Sequence, residues 1–213
     1  MADWVTISSL ATAGGTLVLA VATFSSVRSA NRAARTAEVS LLANIRPVLI
    51  PSREDDPTER LMFGEGHRLT LHGHGAVVEL AEGNLYMALG LRNAGPGLGV
   101  LHGWLAQARE LGVTDERPDL ERFHRQQLDI YIPAGDAGSW RAAIRDREDE
   151  NYGDLARALR DGTRISIDLL YGDHEGGQRA IARFNVVPND QGEGLTANAV
   201  RYWNVDRDDP RER

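Results

Sequence analysis

Cysteine is absent from this 213-residue chain, so neither a disulfide framework nor a thiolate metal site can be built. Lysine is absent too: all 24 basic residues are arginine, a usage of the kind a GC-rich genome imposes. Aromatic residues are scarce at 6%, and the arginines fall short of the 31 acidic residues, leaving a formal net charge of -7. An acidic chain with no basic excess to neutralise phosphates argues against a general nucleic-acid binder. Catalytic signatures are missing as well. Ser139 and His124 stand in no G-x-S-x-G setting. The glycine series Gly95, Gly97, Gly99 and Gly103 runs into Trp104 and Leu105, which read as strand, so no helix N-terminus follows it to receive a pyrophosphate. No catalytic residue, no cofactor-binding residue and no cofactor is expected.

The most consequential absence is of charge between Trp4 and Val27, a run of 24 residues followed at once by Arg28, Arg32 and Arg35. At about 1.5 Å per residue such a helix reaches about 36 Å, enough to cross a hydrocarbon core of about 30 Å with some tilt. Thr6, Ser8, Ser9, Thr12, Thr16, Thr23, Ser25 and Ser26 dilute its apolar character, but a helix lets hydroxyls bond back to its own carbonyls. A cleavable signal peptide would want Lys or Arg ahead of the run, where only Asp3 and the terminal amine stand, although Ala20-Val21-Ala22 would serve as its cleavage site. A buried helix of a soluble domain would show a polar stripe, and none is present. A retained lipid-bilayer anchor through residues 4–27 is therefore expected. Its small residues Ser8, Ala11, Thr12, Gly15, Ala22 and Ser26 leave room for a homodimer. Arg28, Arg32, Arg35 and Arg46 all follow the span, so the positive-inside rule puts the following domain in the cytoplasm, at the cell membrane.

The Ala-rich stretch from Arg28 to Ile45 continues the helix, which must end before Pro47. Beyond it the signals are those of strands. Pro47–Ser52, Arg68–His72, Ala76–Leu80, Leu85–Leu91, Val100–Gln107, Leu128–Ile132, Ser139–Ile144, Arg164–Tyr171, Gln178–Val187 and Val200–Val205 are short apolar or alternating runs bounded by turn formers. Arg53–Arg60 reads as a charged loop, and a short helix is expected from Pro118. Asp154–Asp161 is an amphipathic helix closed by Gly162. Asn93-Ala94-Gly95-Pro96-Gly97 reads as a tight turn with glycine at positive φ, and Gly172–Gly177 as a hairpin loop. The expected fold is mainly β: an N-terminal transmembrane and juxtamembrane helix, then an antiparallel β-sandwich with one or two short helices. The domains are 1–45, 46–205 and a charged disordered tail, 206–213.

The segments "IRPVLIPS", "LYMALGLRNAGPGLGVLHGW", "RQQLDIYIPAGDAGSW" and "DLLYGDHEGGQRAIARF" together resemble a widespread, uncharacterised family of bacterial single-pass membrane-anchored proteins with a C-terminal β-sandwich-like domain. The recurrent residues, among them Asn93, Gly95, Gly97, Pro133 and Asp173, are turn formers, so the resemblance implies a fold and no activity. The uncharged run, the arginine stripe and the turn-spaced strands instead lead to the expectation of a non-catalytic interaction or scaffold protein with an unknown protein partner.

One constellation offers another chemistry. Gly66, His72, His74 and Glu79 are spaced as in the first cupin motif, where two His on one strand face and a Glu bind a metal. Gly90, Pro96, Gly99 and His102 approach the second. The resemblance implies a metal-dependent enzyme holding Zn, Mn or Fe on His72, His74, Glu79 and His102. The matches depart from the family at Tyr86 and Ala106 and by one residue between Pro96 and Gly99. The alternative for His72-Gly73-His74-Gly75 is a polar loop.

Overall fold

The structure is a computed structural model that describes residues 4–109, 116–189 and 194–209. It divides into two compact units, 1–44 and 45–213.

The first unit is one helix, α1 (Trp4–Asn44), of 41 residues and so about 60 Å long. Its apolar side chains find no partner within the unit: Leu17, Leu19 and Phe24 are each more than 65% exposed. The hydroxyls behave as an apolar environment would demand. Thr12 donates to the carbonyl of Ser8, Thr16 to Thr12, Thr23 to Leu19 and Ser25 to Ala22, at 2.7–2.9 Å. Among the described residues this is the one helix long and apolar enough, by length and composition, to cross a membrane.

The second unit is mainly β. Its strands are β1 (Leu49–Pro51), β2 (Glu59–Met62), β3 (Arg68–Leu71), β4 (Gly75–Ala81), β5 (Asn84–Asn93), β6 (Gly99–Ala108), β7 (His124–Arg125), β8 (Tyr131–Ile132), β9 (Ala137–Ile144), β10 (Ile165–Gly172), β11 (Ala180–Pro188) and β12 (Leu195–Asn204), with α2 at Tyr152–Asp161 and a single 3-10 turn at Leu120–Arg122. All pairings are antiparallel.

Two half-sheets face each other. In one, β5 pairs along one edge with β4 and then β1, and along the other with β9. The second half-sheet runs β12-β11-β10-β6, with β7 and β8 on the far edge of β6. Among the described residues two pairs, Leu195–Ala76 and Thr196–Gly75, join them through β12 and β4. Their inward residues form one core: Leu85, Met87, Leu89 and Trp140 from the first half meet Trp104, Ile167, Leu169 and Phe184 from the second. Each such side chain contributes about 1.5–3 kcal/mol by leaving water. Trp104 and Trp140 touch edge-on across the interior with ring centroids 5.8 Å apart.

The β2–β3 hairpin forms a third layer. Leu61, Phe63, Leu69 and Leu71 cover Tyr86 and Ala88 on the outer face of β5. Strand β5 is thus buried on both faces, which is why Leu85–Leu91 reads as a continuous apolar run. Helix α2 adds Leu155 and Ala158 to the main core and ends at Gly162, whose φ of 64° places it in the left-handed region.

Three expectations need correction. Glu59–Met62 is a strand, β2, where the sequence reads as the end of a charged loop; only its inward Leu61 is fully buried, too little to signal a strand. The alternating run 128–132 yields only the two-residue β8, and Leu128 lies exposed. The first residues of the expected disordered tail are ordered: Asp206 pairs with Arg179 at 2.7 Å, Arg207 donates to Gln178 and Asp209 is buried. Residues 210–213 lie outside those described.

Candidate functional site

The four residues spaced like cupin ligands do not come together. Strand β3 stops at Leu71, so His72, Gly73 and His74 form a tight turn into β4 rather than alternating positions on one strand. The Gly75 N–H donates back to the His72 carbonyl, and His74 sits at a φ of 57°. His72 contacts Thr58 through Nδ1, while the His74 backbone and ring are held by Ser52. Glu79 is paired with His67 at 2.5 Å. His102 lies on β6 beside Gly172. Among the described residues no group of three or more His, Asp or Glu side chains is arranged to hold a metal ion. Residues 72–74 thus form a polar turn between β3 and β4.

The turn after β5 is a different kind of junction from the one its glycines suggest. Neither Gly95 nor Gly97 adopts positive φ. A Cβ on Gly95 would overlap the Arg46 carbonyl, and one on Gly97 the Ile45 carbonyl, so both glycines are required for close passage of the 45–48 backbone. Asn93, fully buried, ties this crossing together. Its Oδ1 accepts from the N–H groups of Val48 (3.1 Å) and Gly95 (3.0 Å), and its Nδ2 donates to the carbonyls of Gly97 (2.6 Å) and Ile132 (2.9 Å). With all four hydrogen-bonding positions of its side chain used internally, Asn93 does structural work in the turn. Tyr171 adds to it by accepting from the Leu49 N–H at 3.3 Å; burial pushes its hydroxyl pKa up.

His102 is the extra residue of a β-bulge, because Leu170 pairs with Gly103 and the next residue, Tyr171, with Leu101. Its Nε2 is buried without a hydrogen-bond partner, and burial together with the nearby Arg179 holds the imidazole below its ordinary pKa. Bulges re-aim side chains, and this one sets His102 Nε2 against Gly172.

One open feature of the domain is a cleft of about 890 Å3 between β9, the segment His124–Asp129 and Met62–Gly64 of the β2–β3 hairpin. Strand β9 pairs with β5 on one edge, and among the described residues no strand pairs with the other. At the cleft base the Trp104 indole stacks on the His124 ring with centroids 4.3 Å apart, and Trp140 donates its Nε1–H to Gln126 at 3.2 Å. The walls carry Arg125, Arg141 and Arg145 against Asp129. Arg145 is engaged by Glu65 at 2.8 Å, and together with the Tyr86 hydroxyl it holds the Glu65 carboxyl down at about 2. The arrangement has no nucleophile with an adjacent base; it offers backbone hydrogen-bonding groups, an aromatic floor and guanidinium groups, the equipment for holding a chain. Sequence reasoning missed it because its walls come from distant segments, and an unpaired strand edge leaves no mark in the order of residues.

Comparison with family models, with curated proteins and with solved structures finds no match to this chain.

Proposed function

We propose that this chain is a single-pass membrane protein that holds a non-catalytic β-sandwich interaction domain at the cytoplasmic face of the cell membrane. The observation that carries the reading is α1, whose large apolar side chains Leu10, Leu17, Val18, Leu19, Val21, Phe24 and Val27 are exposed while the hydroxyls of Thr12, Thr16, Thr23 and Ser25 are satisfied by the helix's own carbonyls. Such a surface is costly in water, and a bilayer is the environment in which it is stable. The one-sided placement of Arg28, Arg32, Arg35 and Arg46 supports the cytoplasmic orientation. Membership of the bacterial membrane-anchored group that the chain resembles is part of the same proposal.

Fractionation tests it: the full-length chain is expected in the membrane pellet, released by detergent and not by high salt. Recovery in the soluble fraction at low salt without detergent overturns the anchor. Protease is expected to spare the domain in intact cells and to release it from inverted vesicles; the reverse pattern overturns the orientation.

A further inference from the structure

Resting on the reading of the domain as an interaction module, we infer that the cleft beside β9 binds an extended acidic segment of a partner protein, which adds to the sandwich as a strand along the free edge of β9. Three observations converge. First, β9 is an eight-residue strand with one paired edge and one open edge, and an open edge is a row of unpaired N–H and C=O groups ready to accept another strand. Second, the C-terminal part of that strand, Arg141 to Ala143, opens onto the cleft, so an incoming strand is flanked there on its far side by His124–Asp129.

Third, the charges of the cleft differ from those of the chain. Among the described residues the Arg125 and Arg141 side chains make no ion pair or hydrogen bond, Arg145 is engaged by Glu65, and Asp129 is the one acid lining the cleft, in a chain of net charge -7. His124 faces the same space but is turned to Asp149 at 3.4 Å. Arg141 lies on β9, and Arg145 follows just past the strand's last residue, Ile144. A segment carrying carboxylates would meet the Arg141 guanidinium along the strand and Arg125 across the cleft, and form charge-assisted hydrogen bonds with them. Specificity would thus come from the alternate side chains and affinity from the main chain.

A second copy of this chain is a poorer occupant. Antiparallel self-pairing of β9 centred on residue 141 sets two Arg141 side chains opposite one another, and pairing centred on residue 143 sets Arg141 against Arg145, both unfavourable. The same arginines therefore oppose self-association while favouring an acidic guest.

The test uses the full chain in neutral detergent micelles and a fluorescein-labelled peptide alternating Glu with Val, followed by fluorescence anisotropy. Three comparison probes are the Lys-for-Glu peptide, the same acidic peptide N-methylated at alternate amides, and anionic lipid vesicles. The acidic peptide is expected to bind about tenfold or more tightly than either the Lys or the N-methylated version. Binding should weaken about tenfold in R125Q/R141Q with the melting temperature unchanged, and should fall as salt approaches about 1 M. Equal binding of the parent and N-methylated peptides overturns strand addition, since charge alone then accounts for it. Absence of peptide binding, binding indifferent to R125Q/R141Q, vesicles competing fully for the site, or a β9-mediated dimer that excludes the peptide each overturns the assignment of an acidic protein segment. None of these outcomes alters the fractionation result, so failure here is distinguishable from failure of the anchor.

Discussion

Asp168 and Arg183 stand directly opposite each other on β10 and β11 and form a bidentate pair, 2.6 and 2.8 Å long, with 1% and 2% of their surfaces exposed. They lie on the outer face of the second half-sheet, and the Trp203 ring of β12 stacks on the guanidinium, 4.6 Å from centroid to Cζ. Burial pushes the Asp168 carboxyl above its ordinary pKa while Arg183 pulls the other way. In this position the pair is a registry device: only one alignment of β10 with β11 lets both charges be compensated.

From this follows a test of the pair. D168A leaves a buried guanidinium without its carboxylate and should destabilise the domain by about 3–5 kcal/mol, whereas the double change D168L/R183M should recover much of that loss. Denaturant melts of the wild type and the two variants check it; a D168L/R183M protein no more stable than D168A would contradict the account.

The glycines divide into two kinds with different penalties. G97A places a methyl group on the Ile45 carbonyl and forces the backbone crossing apart, at a cost of about 1–3 kcal/mol. G135A meets open space but occupies a φ of 79°, a strain of about 1 kcal/mol. The melting temperature should therefore drop further for G97A, and the reverse order would contradict the close-passage account of the turn.

Stability should fall in acid across a defined window. The Arg145 and Tyr86 hydrogen bonds depress the Glu65 pKa from 4.5 to about 2, and Asp56 beside Arg92 and Asp206 beside Arg179 are also depressed. A carboxylate with a lowered folded-state pKa stabilises the fold above its unfolded value, and that contribution is lost as pH falls through the folded one. For Glu65 the loss runs from about pH 4.5 to about 2. E65Q should flatten part of that slope and leave stability near pH 7 lower; thermal melts across the range measure both, and an unchanged slope would refute the role of Glu65.

Much of the architecture is legible in the residue order because local chemistry decides it. The run from Leu85 to Leu91, the hairpin signal at Gly172–Gly177 and the helix stop at Gly162 each become what their residue types require. What escapes is set by residues far away in sequence. Gly95 and Gly97 announce a turn, but their reason, the 45–48 backbone against them, is a tertiary fact. His72 and His74 have the spacing of a strand pair, yet the Gly73 and Gly75 around them close a turn instead. The candidate cleft was least legible of all, since Arg125 and Arg141 become neighbours of one cavity only after β6 and β5 have placed β7 and β9.

The junction of the two half-sheets bears on how the protein is made. Strand β4 meets β12 through Gly75 and Ala76, roughly 120 residues ahead of their partners Thr196 and Leu195. At about 5–20 residues per second, a ribosome takes about 6–24 s to deliver β12 after β4. Throughout that interval the first half-sheet has no closing strand, and β6 must likewise wait for β10. Folding dominated by such distant pairings is slow even once the chain is complete. The nascent domain therefore spends its synthesis with apolar strand faces uncovered, so chaperone demand is built into the order in which its strands are written.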